Sequence, residues 1–141
     1  MSLNQDTQSI PVNDPRFQAM LAELEDKDGT ASLSSFSEVV FLIDNMTARL
    51  EIREDQIYYI GRFKGNKDDE LNLTPYNALQ KGVSRLHAKL IMLDDRLYVM
   101  DLNSSNGTYV HRKRLMPNEP SLLHSGDELL LARMKIQVAF R

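Results

Sequence analysis

Apolar residues follow two different rhythms along this chain. Phe17, Met20, Leu21 and Leu24 stand at i, i+3, i+4 and i+7 behind Asp14-Pro15, an N-cap followed by proline at the first helical position. That spacing predicts a short amphipathic helix over about 14–25. The helix should stop near Glu25-Asp26-Lys27-Asp28-Gly29, because acids oppose the macrodipole at a helix C-terminus and glycine offers an exit. Thr30 to Ser37 reads as a Ser/Thr-rich linker. From Glu38 the rhythm becomes extended, with short β-rich runs at Val39–Ile43, Arg49–Ile52, Ile57–Ile60, Leu71–Leu73, Ala88–Leu93, Leu97–Asp101, Thr108–Val110, Leu129–Ala132 and Ile136–Phe140. Turn formers bound them: Asp44-Asn45, Glu54-Asp55, Lys64-Gly65-Asn66, Asp94-Asp95, Asn103 to Gly107 and Ser125-Gly126-Asp127. Many strands separated by tight turns predict an all-β fold, an antiparallel sandwich or barrel over 38–141, with 1–37 as a leader. The longest interruption, Leu73 to Gly82, is a loop of the length that usually binds something or stays unordered.

Charge sharpens this division. The net charge is −3 over 141 residues, but 1–56 carry 11 acids and 4 bases while 57–141 carry 9 acids and 13 bases. A basic folded part behind an acidic leader suits an anionic ligand, and it lets the leader compete for the same surface. With 42% hydrophobic and 26% charged residues the composition is that of a globular protein, and no apolar run approaches the length of a membrane span. Met1 to Val12 lacks the basic and apolar regions of a secretory signal. The chain contains no cysteine, which excludes disulfides and thiolate metal sites. A cytoplasmic protein is expected.

Three fragments carry chemistry. Gly61-Arg62 ends an apolar strand, Ser84-Arg85-Leu86-His87 opens another, and Ser104-Ser105-Asn106-Gly107-Thr108 forms a turn between two more. Loops at strand starts and strand ends can share one rim of an antiparallel sandwich. An arginine fork, a serine hydroxyl, a second arginine and backbone N–H groups are donors whose geometry matches phosphate oxygens, and Asn106 offers both amide groups to a peptide main chain. Such a set binds phosphate without transforming it.

The ordered series Gly61-Arg62, Val83-Ser84-Arg85-Leu86-His87-Ala88, Asp101 to Val110 and Ser125-Gly126-Asp127-Glu128-Leu129 resembles the forkhead-associated (FHA) domain family over about 38–141. The resemblance implies an eleven-stranded β-sandwich that binds phosphothreonine peptides through loops at one end. By position, Arg62 grips the phosphate, Ser84 donates its hydroxyl to it, Arg85 and Ser105 flank it, and Asn106 holds the peptide main chain. His87 braces the Ser84 loop, Gly61 permits close packing beneath it, and Gly107 supports the Asn106 turn. The partner implied is a phosphothreonine-containing protein downstream of a serine/threonine kinase, with no cofactor and no metal.

The chain departs from the family pattern in two places. His111-Arg112 stands where an Asn-Gly turn is usual, which leaves that hairpin's turn type open and places the change at the far end of the sandwich. Gly82 has no side chain where some family members read the ligand's +3 position.

Competing readings exist for several residues. Ser84, His87 and Asp101 invite a hydrolase triad, but no Gly-x-Ser-x-Gly elbow accompanies them, and an enzyme is not expected. His87, His111 and His124 lie far apart in sequence without metal-ligand spacing. His111 to Arg114 is a basic run without the aromatic platform or recognition helix of a nucleic-acid binder. Asp68-Asp69-Glu70 makes a poor cation site. Tyr58, Tyr59 and Tyr98 alternate as core or sheet-face residues, and the Phe17/Met20/Leu21/Leu24 stripe fits packing on its own domain. Two alternatives to an adaptor remain: a switch in which phosphorylated Thr7 or Thr30 of the leader fills the pocket in cis or by self-association, and a scaffold that has lost phosphate binding.

Overall fold

A computed structural model describes residues 38–65 and 67–141. The expected helix over 14–25, the linker to Ser37, and Thr7 and Thr30 lie outside them. Among the described residues the chain forms eleven strands: β1 (Glu38–Ile43), β2 (Met46–Glu51), β3 (Ile57–Gly61), β4 (Glu70–Asn72), β5 (Leu86–Leu93), β6 (Arg96–Asp101), β7 (Thr108–Val110), β8 (Lys113–Arg114), β9 (Ser121–Leu123), β10 (Glu128–Leu131) and β11 (Met134–Phe140). Two sheets result, a six-stranded one in the order β2-β1-β11-β10-β7-β8 and a five-stranded one in the order β4-β3-β5-β6-β9.

Pairing is antiparallel except between β3 and β4, where Tyr59–Gly61 run parallel to Glu70–Asn72. That parallel pair matters for the rim, because it returns the chain to the end of β3 immediately beside Gly61. Alternation along the strands fills the space between the sheets with Phe41, Tyr58, Leu90, Val99, Leu129 and Ile136, all at most 1% exposed. Each such side chain contributes about 2 kcal/mol by leaving water.

The interval Leu73 to Gly82, expected either to bind something or to stay unordered, is pinned to this core. A single 3-10 turn over Thr74–Tyr76 opens it, and Leu73, Ala78 and Val83 are buried anchors along it. Val83 donates its N–H to the Ala78 carbonyl at 2.9 Å. Ser84 therefore enters the rim from a fixed position. At the opposite end of β7, His111 and Arg112 have φ of 53° and 65°, so the β7–β8 hairpin keeps the doubly left-handed backbone of a type I′ turn without glycine.

Candidate functional site

Gly61 ends β3 at a register irregularity and lies against the loop before β5. A Cβ built on Gly61 would stand 2.0 Å from the Arg85 carbonyl oxygen, so only glycine fits there. The close approach lets the Arg62 N–H donate to the Arg85 carbonyl at 2.9 Å, and Arg62 Nε donates to the Val83 carbonyl at 2.8 Å. The half-buried guanidinium is thus fastened by one edge to the residue before Ser84. Asn72, in β4, holds the stretch that follows: its Oδ1 accepts the Phe63 and Thr74 N–H groups, and its Nδ2 donates to the Gly65 carbonyl, all at 3.0 Å.

Ser84 and the Ser105-Asn106 turn meet directly. The Ser105 N–H donates to Ser84 Oγ at 3.2 Å, and Asn106 Nδ2 donates to the Gly82 carbonyl at 2.9 Å. A hydroxyl that accepts from Ser105 retains its own hydrogen for another acceptor. Gly82 has a φ of +85°, and a Cβ there would come within 2.8 Å of Asn106 Nδ2. Its part in the fold is to receive the Asn106 amide. Arg85, Ser105 and Asn106 are exposed, and Ser84 is half-buried.

Beneath these groups lies His87, fully buried. Its Nδ1 accepts the Ser84 backbone N–H at 3.0 Å, which places the ring proton on Nε2, the atom 2.9 Å from the Gly107 carbonyl oxygen. Burial pushes the imidazole pKa below its ordinary value, while the bond to Gly107 and the charge of Asp101 pull it back. His87 consequently joins the Ser84 loop to the Asn106-Gly107 turn. This geometry does not make a triad, since the ring meets the Ser84 main chain and not its hydroxyl, and turns its other nitrogen to Gly107.

Asp101 has a different task. Its buried carboxylate accepts the Ser104 N–H at 3.1 Å, the Ser104 hydroxyl at 2.5 Å and the Thr108 hydroxyl at 2.7 Å, and Ser104 Oγ accepts the Gly107 N–H at 3.0 Å. The residues on either side of Ser105-Asn106 are held by one carboxylate. Two further arginines approach the rim. Arg133, in the turn after β10, donates from Nη2 to the Gln80 carbonyl, and Arg114 lies over the Tyr109 ring at 5.9 Å, next to Gly107. Arg133 was not singled out in the sequence, and Arg114 was read only as part of the His111–Arg114 basic run.

The candidate residues Gly61, Arg62, Ser84, Arg85, His87, Ser105, Asn106 and Gly107 are thus brought to one rim. The histidines correct an expectation: His111 and His124 are not scattered but flank Asp127, with Nε2 of His111 3.4 Å and Nδ1 of His124 3.5 Å from its carboxylate oxygens. One ligand atom from each of the three lies within 4.8 Å of the others, and Asp127 also accepts the His124 N–H at 2.7 Å. A groove of about 680 Å³ runs elsewhere, between β2 and β4, lined among others by Arg49, Tyr58, Lys67 and Tyr76 and by none of the rim residues.

A sandwich with end loops tied through Gly-Arg, Ser-Arg-x-His and Ser-Asn-Gly defines a class. The family model for the FHA domain matches residues 58–132, more than half of the chain, and the chain belongs to the FHA domain family. An uncharacterized protein of Schizosaccharomyces pombe is 40% identical over 89 residues, covering 57% of this chain and 29% of that protein. The protein FraH of a Nostoc species is 29% identical over 101 residues, covering 64% of this chain and 35% of FraH. The chain spans about a third of the length of these curated relatives. Among solved structures, one from a structural and functional analysis of phosphothreonine-dependent FHA domain interactions superposes with a TM-score of 0.55 at 27% identity, covering 74% of this chain and 97% of that one. The FhaA FHA domain, solved in complex with the intracellular domain of Rv3910, gives a TM-score of 0.52 at 28% identity, covering 71% of this chain and 98% of that one. Among the described residues no helix is long and apolar enough to cross a membrane.

Proposed function

We propose that the rim captures a phosphothreonine-bearing segment of another protein, and that residues 38–141 act as a docking module in serine/threonine kinase signalling rather than as an enzyme. Arg62 and the Ser84 hydroxyl take the phosphate, Arg85 and Ser105 flank it, and the Asn106 amide holds the peptide main chain. The observation that carries this reading is the Ser105 N–H on Ser84 Oγ, because it orders the hydroxyl while leaving its hydrogen to donate. The fixed guanidinium beside Val83 adds a charge-assisted donor at the same rim. Relatives studied for phosphothreonine-dependent interactions support the ligand class. One phosphate and a few extended residues bury little area, so the complex is transient.

The test is capture from an oriented phosphothreonine peptide library by the full chain, with phosphoserine and unmodified libraries as controls. Selective enrichment by the native chain, lost in Arg62→Ala with its circular dichroism unchanged, is the expected result. Equal retention of phosphorylated and unmodified peptides would leave a scaffold as the better description. The acidic, threonine-bearing leader supports a second reading, in which phosphorylated Thr7 or Thr30 fills the rim of its own or a second molecule. Phosphorylated full chain that captures the library as well as unmodified chain rules that out.

A further inference from the structure

The outer faces of the two sheets are unlike. On the six-stranded sheet, Leu42, Glu128, Lys135 and Gln137 are exposed, as befits an antiparallel sheet with one wet face. On the five-stranded sheet the positions alternating with core residues Tyr58, Leu90 and Val99 are Ile57, Ile91, Tyr98 and Leu122, one cross-strand row spanning four strands. Tyr59, Lys89 and Met100 form a second row on the same face. Ile91, Leu93, Tyr98, Met100 and Leu122 make an apolar cluster separate from the main core.

These outward residues are not exposed. Ile91 and Tyr98 are 0% accessible, Met100 1% and Lys89 2%. A side chain on the outer face of a sheet has neighbours beside it but reaches zero exposure only under another layer. Among the described residues the cluster's apolar partners are its own members and Ile57. Its cover therefore comes from outside the described strands.

We infer that the leader segment 14–24 docks on the outer face of the five-stranded sheet, with Phe17, Met20, Leu21 and Leu24 set on the row from Ile57 to Leu122. The spacing of those four residues gathers them on one side of a helix. Eleven helical residues extend about 16 Å, and four strands about 4.8 Å apart cross about 14 Å, so stripe and row match in size. Residues 25–37 separate that segment from β1, and a chain of that length can span about 40 Å while sheets pack about 10 Å apart, so the length suffices to reach the other sheet's outer face. Charge agrees as well. Residues 14–28 carry Asp14, Glu23, Glu25, Asp26 and Asp28 against Arg16 and Lys27, whereas the outer face carries Lys89 and Arg96 against Glu70, so segment and face differ in the sign of their net charge.

The absence of cysteine makes the test clean: Ala19→Cys in the full chain, carrying a nitroxide label, places one spin on the side of the segment away from the apolar stripe. The methyl resonances of Ile57, Ile91, Leu93 and Leu122 are expected to broaden, while that of Leu42 on the other sheet stays sharp. Absent or uniform broadening overturns the assignment, as does broadening seen only between molecules in a mixed sample, which marks a second copy as the cover. A separate full-length variant, Leu21→Asp/Leu24→Asp, should bind a hydrophobic dye with severalfold higher fluorescence at unchanged circular dichroism. Dye binding equal to that of the native chain counts against the leader. Neither measurement depends on phosphopeptide capture.

Discussion

His87 accepts the backbone N–H of Ser84 through Nδ1 at 3.0 Å, and that single bond decides the state of the imidazole. A protonated ring has no lone pair to receive an N–H, so the neutral Nε2–H form is the one that holds both loops.

A pH dependence follows. Burial lowers the His87 pKa from 6.5, so the unfolded chain takes up a proton at a pH where the folded chain does not. The stability this residue contributes is complete above 6.5 and declines as pH falls from there towards the folded value, with a slope of at most about 1.4 kcal/mol per pH unit. Urea denaturation at pH 7.5 and 5.5 checks it. The native chain should lose more stability over that interval than His87→Gln, and equal losses would show that the imidazole is not held neutral.

Gly61→Ala tests the packing beneath the rim. With a Cβ directed to 2.0 Å from the Arg85 carbonyl oxygen, backbone must shift, and overpacking of that kind costs about 1–3 kcal/mol. Thermal unfolding should show the loss. Phosphopeptide capture should weaken too, because the same contact carries the Arg62 N–H on the Arg85 carbonyl.

Asp101→Ala removes the acceptor for the Ser104 N–H and for the Ser104 and Thr108 hydroxyls. Stranding buried donors around a lost carboxylate should cost about 3 kcal/mol. Thr108→Val deletes one of these bonds and should cost about 1 kcal/mol. Chemical denaturation of both variants measures the ratio, and a milder effect for Asp101→Ala than for Thr108→Val would contradict the template role.

Arg112→Gly acts in the other direction. Arg112 sits at a φ of 65° in a hairpin tip where glycine is unstrained, so the replacement should stabilise the chain by about 1 kcal/mol. Phosphopeptide capture should not change, since the tip lies at the opposite end of β7 from Gly107. Differential scanning calorimetry and the library assay check the two halves of the expectation.

Strands with apolar alternation were legible in the sequence, and β5 and β6 in particular stand where the Ala88–Leu93 and Leu97–Asp101 runs put them, with β5 extending back to Leu86. Others left no such trace. β8 is Lys113–Arg114, two exposed basic residues that pair only because the preceding turn folds them back, and β9 is three residues long. The parallel pairing of β4 with β3 is a long-range choice that no local pattern reports. At the rim, the residues that face outward and the supports Gly61, His87 and Gly107 were named through the motif, whereas the supporting parts of Asn72, Gly82 and Asp101 were not. Asn72 ties down the stretch after Arg62 through three side-chain hydrogen bonds and Gly82 receives the Asn106 amide, contacts between segments that spacing does not report, and Asp101 was weighed only as the orienting acid of a triad that was not expected, because a carboxylate near Ser and His looks alike in either role. The pairing of His111 with His124 across Asp127 depends on a hairpin tip and a strand end meeting in space, which spacing along the chain does not encode.

β1 forms its ladder with β11, and Glu38 and Arg141 exchange both of their main-chain hydrogen bonds. The turn between β10 and β11 also reaches the rim, through the Ala132 N–H on the Gly107 carbonyl and the Arg133 N–H on the Lys81 carbonyl. The first described strand therefore closes on the last, and a chain cut before Ala132 would keep every residue of the Gly-Arg, Ser-Arg and Ser-Asn motifs but lose the clasp that holds two of their loops. Order at the rim is thus a property of the closed sandwich and not of the motif segments taken alone.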